Sequence, residues 1–228
     1  MTGEILIICL LGGLVATDTT AAFQILVSHP LVACSIAGLL LGDVNLGLTI
    51  GILFELPWLY EIPVGGVRFC EGNVGSMVAA ALAVIWSRQI SMPNAVLFVS
   101  IVWGIIVAYF AGTLVVLYRH FNTRLIHKAD LAAEKGSCAG VSFNHMQGVL
   151  FSMVLGIIVT IAALCVGLEL ITPLLEALPS HADSYFNFTK PLFIGIGLGV
   201  MAVLFVNRKT KNAIAAGIAV GVLVVILL

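Results

Sequence analysis

Residues 29–76 read HPLVACSIAGLLLGDVNLGLTIGILFELPWLYEIPVGGVRFCEGNVGS and decide how the chain is interpreted. The stretch is apolar enough to lie in a bilayer, yet it carries four acids and one base: Asp43, Glu55, Glu61, Glu71 and Arg68. An acid at membrane depth costs roughly 2.5–3.5 kcal/mol on insertion scales. A chain that keeps several of them is expected to use some for a polar cargo, an ion or a proton.

Composition places the whole chain of 228 residues in a membrane. It is 61% hydrophobic and 9% charged, with a mean hydropathy of +1.18, whereas soluble domains carry about 25% charged residues. We therefore predict an all-α polytopic membrane protein that forms a single domain over 1–228. The absence of a basic tract from the sequence argues against nucleic acid as a partner.

The cysteines and the N-terminus give no sign of a metal site or of a cleaved leader. The five cysteines form no CxxC pair and have no His-rich ligand spacing, so no metal or other cofactor is predicted. The segment 1–27 has Glu4 where a signal peptide carries basic residues, and Asp18 interrupts its apolar run. We therefore expect it to be retained.

Broken or re-entrant helices are expected in the N-terminal third. Ile5–Val27 is polar in its middle, at 17–20, which favours two half-helices; the alternative is one tilted helix with Asp18 facing other helices. Leu31–Leu41 and Leu46–Phe54 flank a Gly-Asp-Val-Asn turn signal, and each is too short to span a bilayer. They form either one helix with Asp43 buried or a re-entrant hairpin, in which Asp43 would be a turn or cap residue.

Glycine spacing in the same region favours close helix contact. Gly38 and Gly42, then Gly47 and Gly51, have the small-xxx-small spacing that lets backbones approach closely.

The remaining apolar segments are clearer. Helices are predicted over Val74–Trp86, Asn94–Leu117, Gln147–Leu168, Pro191–Val206 and Ala213–Leu228. The second and third of these are long enough to cross the membrane without help.

An amphipathic helix is predicted over 118–136, lying at the membrane interface and ended by Gly136. Its apolar positions recur at helical spacing: Phe121, Leu125, Ala129 and Ala132. The segment 118–145 and the loop 207–212 carry the basic residues, whereas 169–189 carries only acids. The positive-inside rule therefore predicts that both basic segments are cytoplasmic and that 169–189 and the C-terminus are external.

Candidate ligands lie at the helix breaks. Broken helices expose unpaired backbone groups near the membrane centre, which is how transporters commonly build their sites. Glu55, Glu71 and Asn73 are predicted to bind the cargo, or alternatively to satisfy neighbouring backbone groups. Trp58 is either a packing residue or a stacking platform, and Glu61 is expected at an interface or paired with Arg68.

Several motifs resemble one family, the IIC membrane subunits of mannose/sorbose-type phosphotransferase systems. A basic residue before Pro-Leu, the Gly-x-x-x-Gly-Asp turn at 38–43 and Ile-Gly-x-x-x-Glu-Leu at 50–56 match that pattern. So does a glycine-rich segment followed by an acid, and FNTRLIHKADLAAEKG with NHMQG resembles its central cytoplasmic segment. The likeness covers most of the chain and is most specific over 29–75 and 120–148.

The resemblance implies half of a bacterial inner-membrane sugar permease. A IID membrane subunit would supply the other half, and the two would assemble as a trimer of IIC–IID heterodimers. Cytoplasmic IIA/IIB proteins would carry the phosphoryl group and transfer it to the sugar. The chain itself would therefore not be an enzyme and would have no catalytic residue.

Six residues depart from the family pattern, four by their type and two by their position. His29 stands where many members have Arg, Pro63 replaces an Asn, and Cys70-Glu71 replaces Pro-Asp. The acid and the Gln that usually precede the Pro at position 30 are displaced here, to Asp18 and Gln24.

A polytopic chain with buried acids could serve two other functions. An ion-coupled secondary transporter of a small polar solute would explain the buried acids equally well. An intramembrane enzyme would need a nucleophile–base pair or a metal cluster, and the sequence offers neither.

Overall fold

The computed structural model describes residues 2–59, 69–206 and 209–227, and within these ranges it contains helices and no strand. The α-helices are α1 (Thr2–Thr20), α2 (Pro30–Leu41), α3 (Val44–Trp58), α4 (Gly72–Ser87), α5 (Pro93–Glu134), α6 (Cys138–Val166), α7 (Thr172–Glu176), α8 (Thr189–Phe205) and α9 (Lys211–Leu227). A π-helix (Gly167–Ile171) and a 3₁₀ helix (Ser180–Phe186) lie between α6 and α8. The predicted all-α fold is confirmed.

Four helical segments in the described part of the chain are long and apolar enough to cross a membrane. They are Gly3–Thr20, Pro93–Glu134, Cys138–Glu176 and Ser180–Phe205. Helices α2, α3 and α4 are also apolar but shorter. The fold is that of a multi-pass membrane protein with short helices in its N-terminal third, as the sequence predicts.

Helix α1 is continuous through the polar run and ends at Thr20, so the break predicted in the middle of Ile5–Val27 is wrong. The alternative of one helix holds only up to Thr20, because residues 21–29 form a loop and Asp18 binds that loop and not other helices. The polar run falls in its last turn. There the Thr17 hydroxyl donates to the Gly13 carbonyl at 2.8 Å. This bond to the carbonyl four residues earlier lets a threonine lie within an apolar helix at little cost. The Asp18 carboxylate is also satisfied, by the loop that follows.

Helices α2 and α3 form the hairpin alternative. Gly42 ends α2 in the left-handed conformation (φ 89°), and Asp43 caps α3 by accepting a hydrogen bond from the Leu46 N–H. A Cβ atom built on Gly38 would lie 2.9 Å from the Gly47 Cα atom, so the two backbones are in direct contact. Gly38, Gly47 and Gly51 therefore serve helix packing as predicted, whereas a Cβ atom on Gly42 would meet no described atom within 4 Å and Gly42 only ends α2. The interpretation of Asp43 as a cap is confirmed.

Helix α4 lies at the centre of the bundle. Every residue from Val74 to Trp86 is buried. Helices α1, α2, α3, α5 and α6 all contact α4. Small residues allow this density: a Cβ atom on Gly75 would lie 2.8 Å from the Ala108 side chain of α5.

Helix α5 continues without interruption through the predicted boundary at Tyr118. Its 42 residues correspond to about 63 Å at about 1.5 Å per residue, twice the thickness of a hydrocarbon core. The prediction of a separate helix lying at the membrane interface is therefore wrong. The apolar positions were identified correctly, but they pack against α6: the Phe121 and Phe151 rings are 5.0 Å apart.

The α5–α6 hairpin thus extends beyond the shorter helices. Gly136 makes the turn in the left-handed conformation (φ 69°), and the Tyr118 hydroxyl donates to the Gly148 carbonyl at 2.7 Å. We use the name "projecting hairpin" for residues 118–148. Its cytoplasmic location stays a prediction.

The C-terminal helices match the predicted segments to within a few residues. Helix α8 packs on α3, with Gly197 against the Leu56 side chain. In α9 the described side chains are exposed apart from Ile214, which is half-buried. The predicted Glu61–Arg68 pair and the departure at Pro63 lie outside the described residues.

Candidate functional site

A cavity of about 310 Å³ lies at one end of the short helices, where α1 and α3 end and α2 and α4 begin. We call it the helix-end cavity. Its described lining residues are Asp18, Thr19, Gln24, Leu26, Ser28, His29, Pro30, Glu55, Trp58, Leu59, Phe69, Cys70, Glu71, Gly72 and Asn73. The four predicted site residues Glu55, Trp58, Glu71 and Asn73 are all among them. That they bind a substrate stays a prediction.

Asp18 holds the loop that forms one wall. Its buried carboxylate accepts hydrogen bonds from the backbone N–H groups of Ile25 and Ser28, both at 2.8 Å. Three residues of this loop adopt the left-handed conformation without being glycine: Phe23, Gln24 and Leu26. Such conformations cost of order 1–3 kcal/mol each. The Asp18 hydrogen bonds help to offset that cost.

Glu55 joins the end of α3 to the start of α2. One carboxylate oxygen lies 2.8 Å from His29 Nδ1, and the other accepts the Leu31 N–H at 3.0 Å. Pro30 occupies the first turn of α2, where backbone N–H groups lack helical partners and attract negative charge. The carboxylate is therefore held by groups from α2 while it borders the cavity.

Glu71 and Asn73 meet at Thr19. Glu71 is only 4% exposed, and its Oε1 atom lies 3.1 Å from the Thr19 hydroxyl. The Asn73 amide donates to the same hydroxyl at 3.1 Å. The Glu71 backbone N–H donates to the Ala108 carbonyl at 2.9 Å, which anchors this end of α4 to α5. The last turn of α1 therefore links two predicted ligands.

Trp58 forms part of the apolar wall. Its ring centroid lies 5.3 Å from that of Phe54, and its edge packs against Gly72, where a Cβ atom would overlap the indole. Within the described part of the chain, the Trp58 Nε1 atom is buried and has no hydrogen-bond partner, which costs about 1–3 kcal/mol. Trp58 therefore packs against its neighbours and also lines the cavity.

The arrangement suits a ligand rich in hydroxyl groups. Carboxylates accept hydrogen bonds, the His29 imidazole and the Asn73 amide can donate, and Trp58 and Phe69 supply flat apolar surfaces. In the described ranges, no three His, Cys, Asp or Glu side chains are placed to hold a metal ion together.

The lining residues that were not predicted as site residues include Asp18, Thr19 and His29. The sequence did carry a signal for them, since Thr-Asp-Thr-Thr follows an apolar helix and a histidine precedes the proline of α2. The polar run was interpreted as a helix break because nothing in the sequence shows which distant groups a carboxylate will meet.

Comparison with known proteins identifies the family. The family described as the sorbose-specific IIC component of the phosphotransferase system matches residues 2–228. The mannose-specific EIIC component of Escherichia coli K12 is 25% identical over 174 residues, which cover 76% of this chain and 63% of that protein. The sorbose-specific EIIC component of Klebsiella pneumoniae is 29% identical over 177 residues, with the same shares. The match thus spans 63% of the length of both relatives.

Two solved structures share the fold. One, described only as a membrane protein, superposes with a TM-score of 0.76 at 20% identity over 100% of this chain and 94% of the other. The other comes from a complex of the mannose transporter ManYZ with microcin E492, with a TM-score of 0.65 at 21% identity over 99% and 95% of the two chains. With the family match over nearly the whole sequence, the chain belongs to the sorbose-specific IIC components of the phosphotransferase system.

Proposed function

We propose that this protein is the sugar-translocating IIC subunit of a phosphoenolpyruvate-dependent phosphotransferase system of the mannose/sorbose/N-acetylgalactosamine class. The observation that carries the proposal is the convergence of Glu55, Glu71, Asn73 and Trp58 on one cavity at the ends of short helices. Relatives named for mannose, sorbose, fructose and N-acetylgalactosamine support the substrate class.

Each of these residues has a role that sugar chemistry can use. Carboxylates such as Glu55 and Glu71 accept hydrogen bonds from neighbouring hydroxyls, and the Asn73 amide both donates and accepts. The Trp58 ring offers a flat surface to the C–H groups of a pyranose. The volume of about 310 Å³ lies at the lower end of the ~300–1,000 Å³ usual for ligand sites, which favours a small substrate.

The proposed partners follow from the family. A IID membrane subunit completes the permease, in a trimer of IIC–IID heterodimers within the bacterial inner membrane. Cytoplasmic IIA/IIB proteins carry the phosphoryl group from phosphoenolpyruvate, so this chain binds and moves sugar without transferring phosphate itself. A solved mannose transporter complex with the same fold supports the membrane partner.

Uptake by membrane vesicles tests the proposal. Vesicles containing the chain with its IID, IIA and IIB partners are given labelled mannose, sorbose, fructose or N-acetylgalactosamine. We expect uptake of at least one sugar to require phosphoenolpyruvate and to yield the sugar phosphate. Uptake abolished by a protonophore alone, without sugar phosphate, would instead indicate an ion-coupled transporter.

A further inference from the structure

A second cavity, also of about 310 Å³, lies beside the helix-end cavity at the base of the projecting hairpin. We call it the anion cavity. Its described lining residues are Thr20, Ala21, Tyr118, Arg119, Asn122, His145, Gly148 and Val149. Arginine, histidine and asparagine side chains supply hydrogen-bond donors, and none of these lining residues is a carboxylate. The described walls therefore favour an anion.

The charge of the projecting hairpin reinforces this preference. Between positions 118 and 145 the sequence has four basic residues, at 119, 124, 128 and 135, and two acids, at 130 and 134, a formal charge of +2 before any histidine is protonated. A cleft of one charge sign concentrates ligands of the opposite sign and speeds their arrival. The anion cavity lies where the hairpin meets the rest of the bundle.

Among the residues that the structure describes, one polar atom in the wall has no hydrogen-bond partner. This atom is Asn122 Oδ1, which is buried, whereas the neighbouring Tyr118 hydroxyl donates to the Gly148 carbonyl. A buried amide oxygen without a donor costs about 1–3 kcal/mol. A ligand bearing a hydroxyl would satisfy the oxygen, and rotation of the amide would instead present its NH₂ group to an anion.

The two cavities are neighbours separated by few side chains. A small space of about 20 Å³ between them is lined by Glu71, which also lines the helix-end cavity, and by Thr20 and Tyr118, which also line the anion cavity. That space is large enough for one water molecule. The Arg119 guanidinium lies 5.0 Å from the centroid of Phe69, whose ring borders the helix-end cavity.

We infer that the anion cavity binds the phosphoryl group associated with sugar transport, with Arg119 as its main charged contact and His145 and Asn122 as further hydrogen-bonding groups. The inference rests on the proposed function. Two sources share this chemistry: the phosphorylated carrier protein and the free phosphate ester of the sugar. The chain makes and breaks no covalent bond in this step, because it only holds the charged group close to the sugar.

The test uses the full chain purified with its membrane partner and the sugar that wild-type vesicles take up. The first measurement is equilibrium binding of that sugar. The second is the concentration of phosphorylated carrier that gives half-maximal sugar phosphorylation. The third is the concentration of inorganic phosphate, or of the sugar's phosphate ester, that inhibits phosphorylation by half.

In Arg119→Gln we expect at least one of two concentrations to rise about tenfold or more: that of carrier giving half-maximal phosphorylation, or that of phosphate or ester giving half-maximal inhibition. The affinity for sugar is expected to stay within about twofold of wild type. A lost charge-assisted hydrogen bond to a phosphate has an effect of this size. The matched control is Arg124→Gln, since Arg124 is exposed on the same helix and lines neither cavity. If Arg119→Gln fails to accumulate in the membrane, His145→Gln is compared with His127→Gln, with an expected effect of about threefold.

The outcomes separate the two sources. If Arg119→Gln needs more phosphorylated carrier while the ester inhibits it as it does wild type, the inference is supported and the carrier is the source of the phosphoryl group. If phosphate and ester inhibit Arg119→Gln less strongly while the concentration of carrier it needs is unchanged, the inference is supported and the free ester is the source. Equal behaviour of Arg119→Gln and Arg124→Gln, or a loss of sugar binding as large as the loss of phosphorylation, overturns it. Wild-type protein that neither binds nor phosphorylates any of the four sugars would instead refute the proposed function.

Discussion

The two ends of the cluster formed by α2, α3 and α4 carry the same kinds of polar side chain but use them differently. At the end where α2 meets α3, Asp43 caps α3 by accepting the N–H of Leu46, three residues further along the chain. At the same end Glu4 pairs with Arg88 at 3.0 Å, and both side chains are partly exposed. At the opposite end, Glu55 and Glu71 contact groups on other helices and surround a cavity.

The difference shows that a carboxylate in an apolar sequence is weak evidence of a site by itself. A capping carboxylate is satisfied by its own turn and stabilises a helix by about 1 kcal/mol. A carboxylate satisfied by distant elements fixes the relative positions of those elements and keeps polar space between them. The second arrangement suits a permease, because it offers a hydrated ligand replacement partners for its hydroxyls.

The largest expected effect is at the cavity end. Glu71→Gln should lower uptake of the transported sugar by roughly 30-fold or more, since disrupting a buried charged hydrogen-bond group costs about 2–5 kcal/mol. Glu55→Gln should act similarly, because it weakens the contact with His29. Uptake in vesicles is measured together with the amount of each variant in the membrane.

The matched control is at the other end of the same cluster. Asp43→Asn keeps an oxygen for the Leu46 N–H, and asparagine caps helices as well as aspartate does. Its uptake should stay near that of wild type. Normal uptake by Glu71→Gln and Glu55→Gln would remove both residues from the site, and a large loss in Asp43→Asn would abolish the contrast between the ends.

The sequence predicted some of the residues that line the cavity, but it did not predict how the chain holds them in place. Glu55, Glu71 and Asn73 could be predicted because they lie at helix breaks marked by Pro57 and Gly72, where unpaired backbone groups gather. Asp18 could not be placed, because its partners at 25 and 28 are reached through a loop whose left-handed residues are not glycines. Local propensity gives no indication of such a loop.

The extent of α5 shows a similar limit. From Tyr118 onward the sequence becomes more polar because the surroundings of the helix become polar there. This shift in composition predicts a new helix, although α5 continues. An amphipathic pattern shows that one side of a helix is covered but not by what. Here α6 covers it, through contacts such as Phe121 with Phe151 and the hydrogen bond from Tyr118 to Gly148.

The close contact between α2 and α3 near their turn should be the next most sensitive. In Gly47→Ala the added methyl group would overlap the Cys34 carbonyl and lie 2.9 Å from the Gly38 Cα atom, so α2 and α3 must separate. Overpacking of this kind costs about 1–3 kcal/mol. The measurement is the thermal unfolding midpoint of the purified protein, with Gly199→Ala as the control, since nothing lies within 4 Å of that position. Equal midpoints for the two variants would contradict close packing of the hairpin.

A smaller effect is expected from Asp18→Asn. The amide can accept from only one of the Ile25 and Ser28 N–H groups and places its own NH₂ against the other, at a cost of about 1–2 kcal/mol. Hydrogen exchange over residues 21–29 should quicken, and uptake should fall about threefold. Asp43→Asn again serves as the control, because it leaves this loop untouched. Unchanged exchange in Asp18→Asn would mean that the carboxylate does not hold the loop.

The smallest effect is expected at Arg88. Its guanidinium contacts the exposed Glu4 carboxylate and the Leu41 carbonyl, so it ties together the ends of α1, α2 and α4. Exposed ion pairs contribute about 0–1 kcal/mol, and Arg88→Gln should therefore lower the unfolding midpoint slightly and leave sugar binding unchanged. A loss of sugar binding in Arg88→Gln comparable to that in Glu71→Gln would show that the two ends act as one unit. The polar groups at the two ends would then form one network that runs the length of the short helices, and local caps could not be separated from cavity carboxylates.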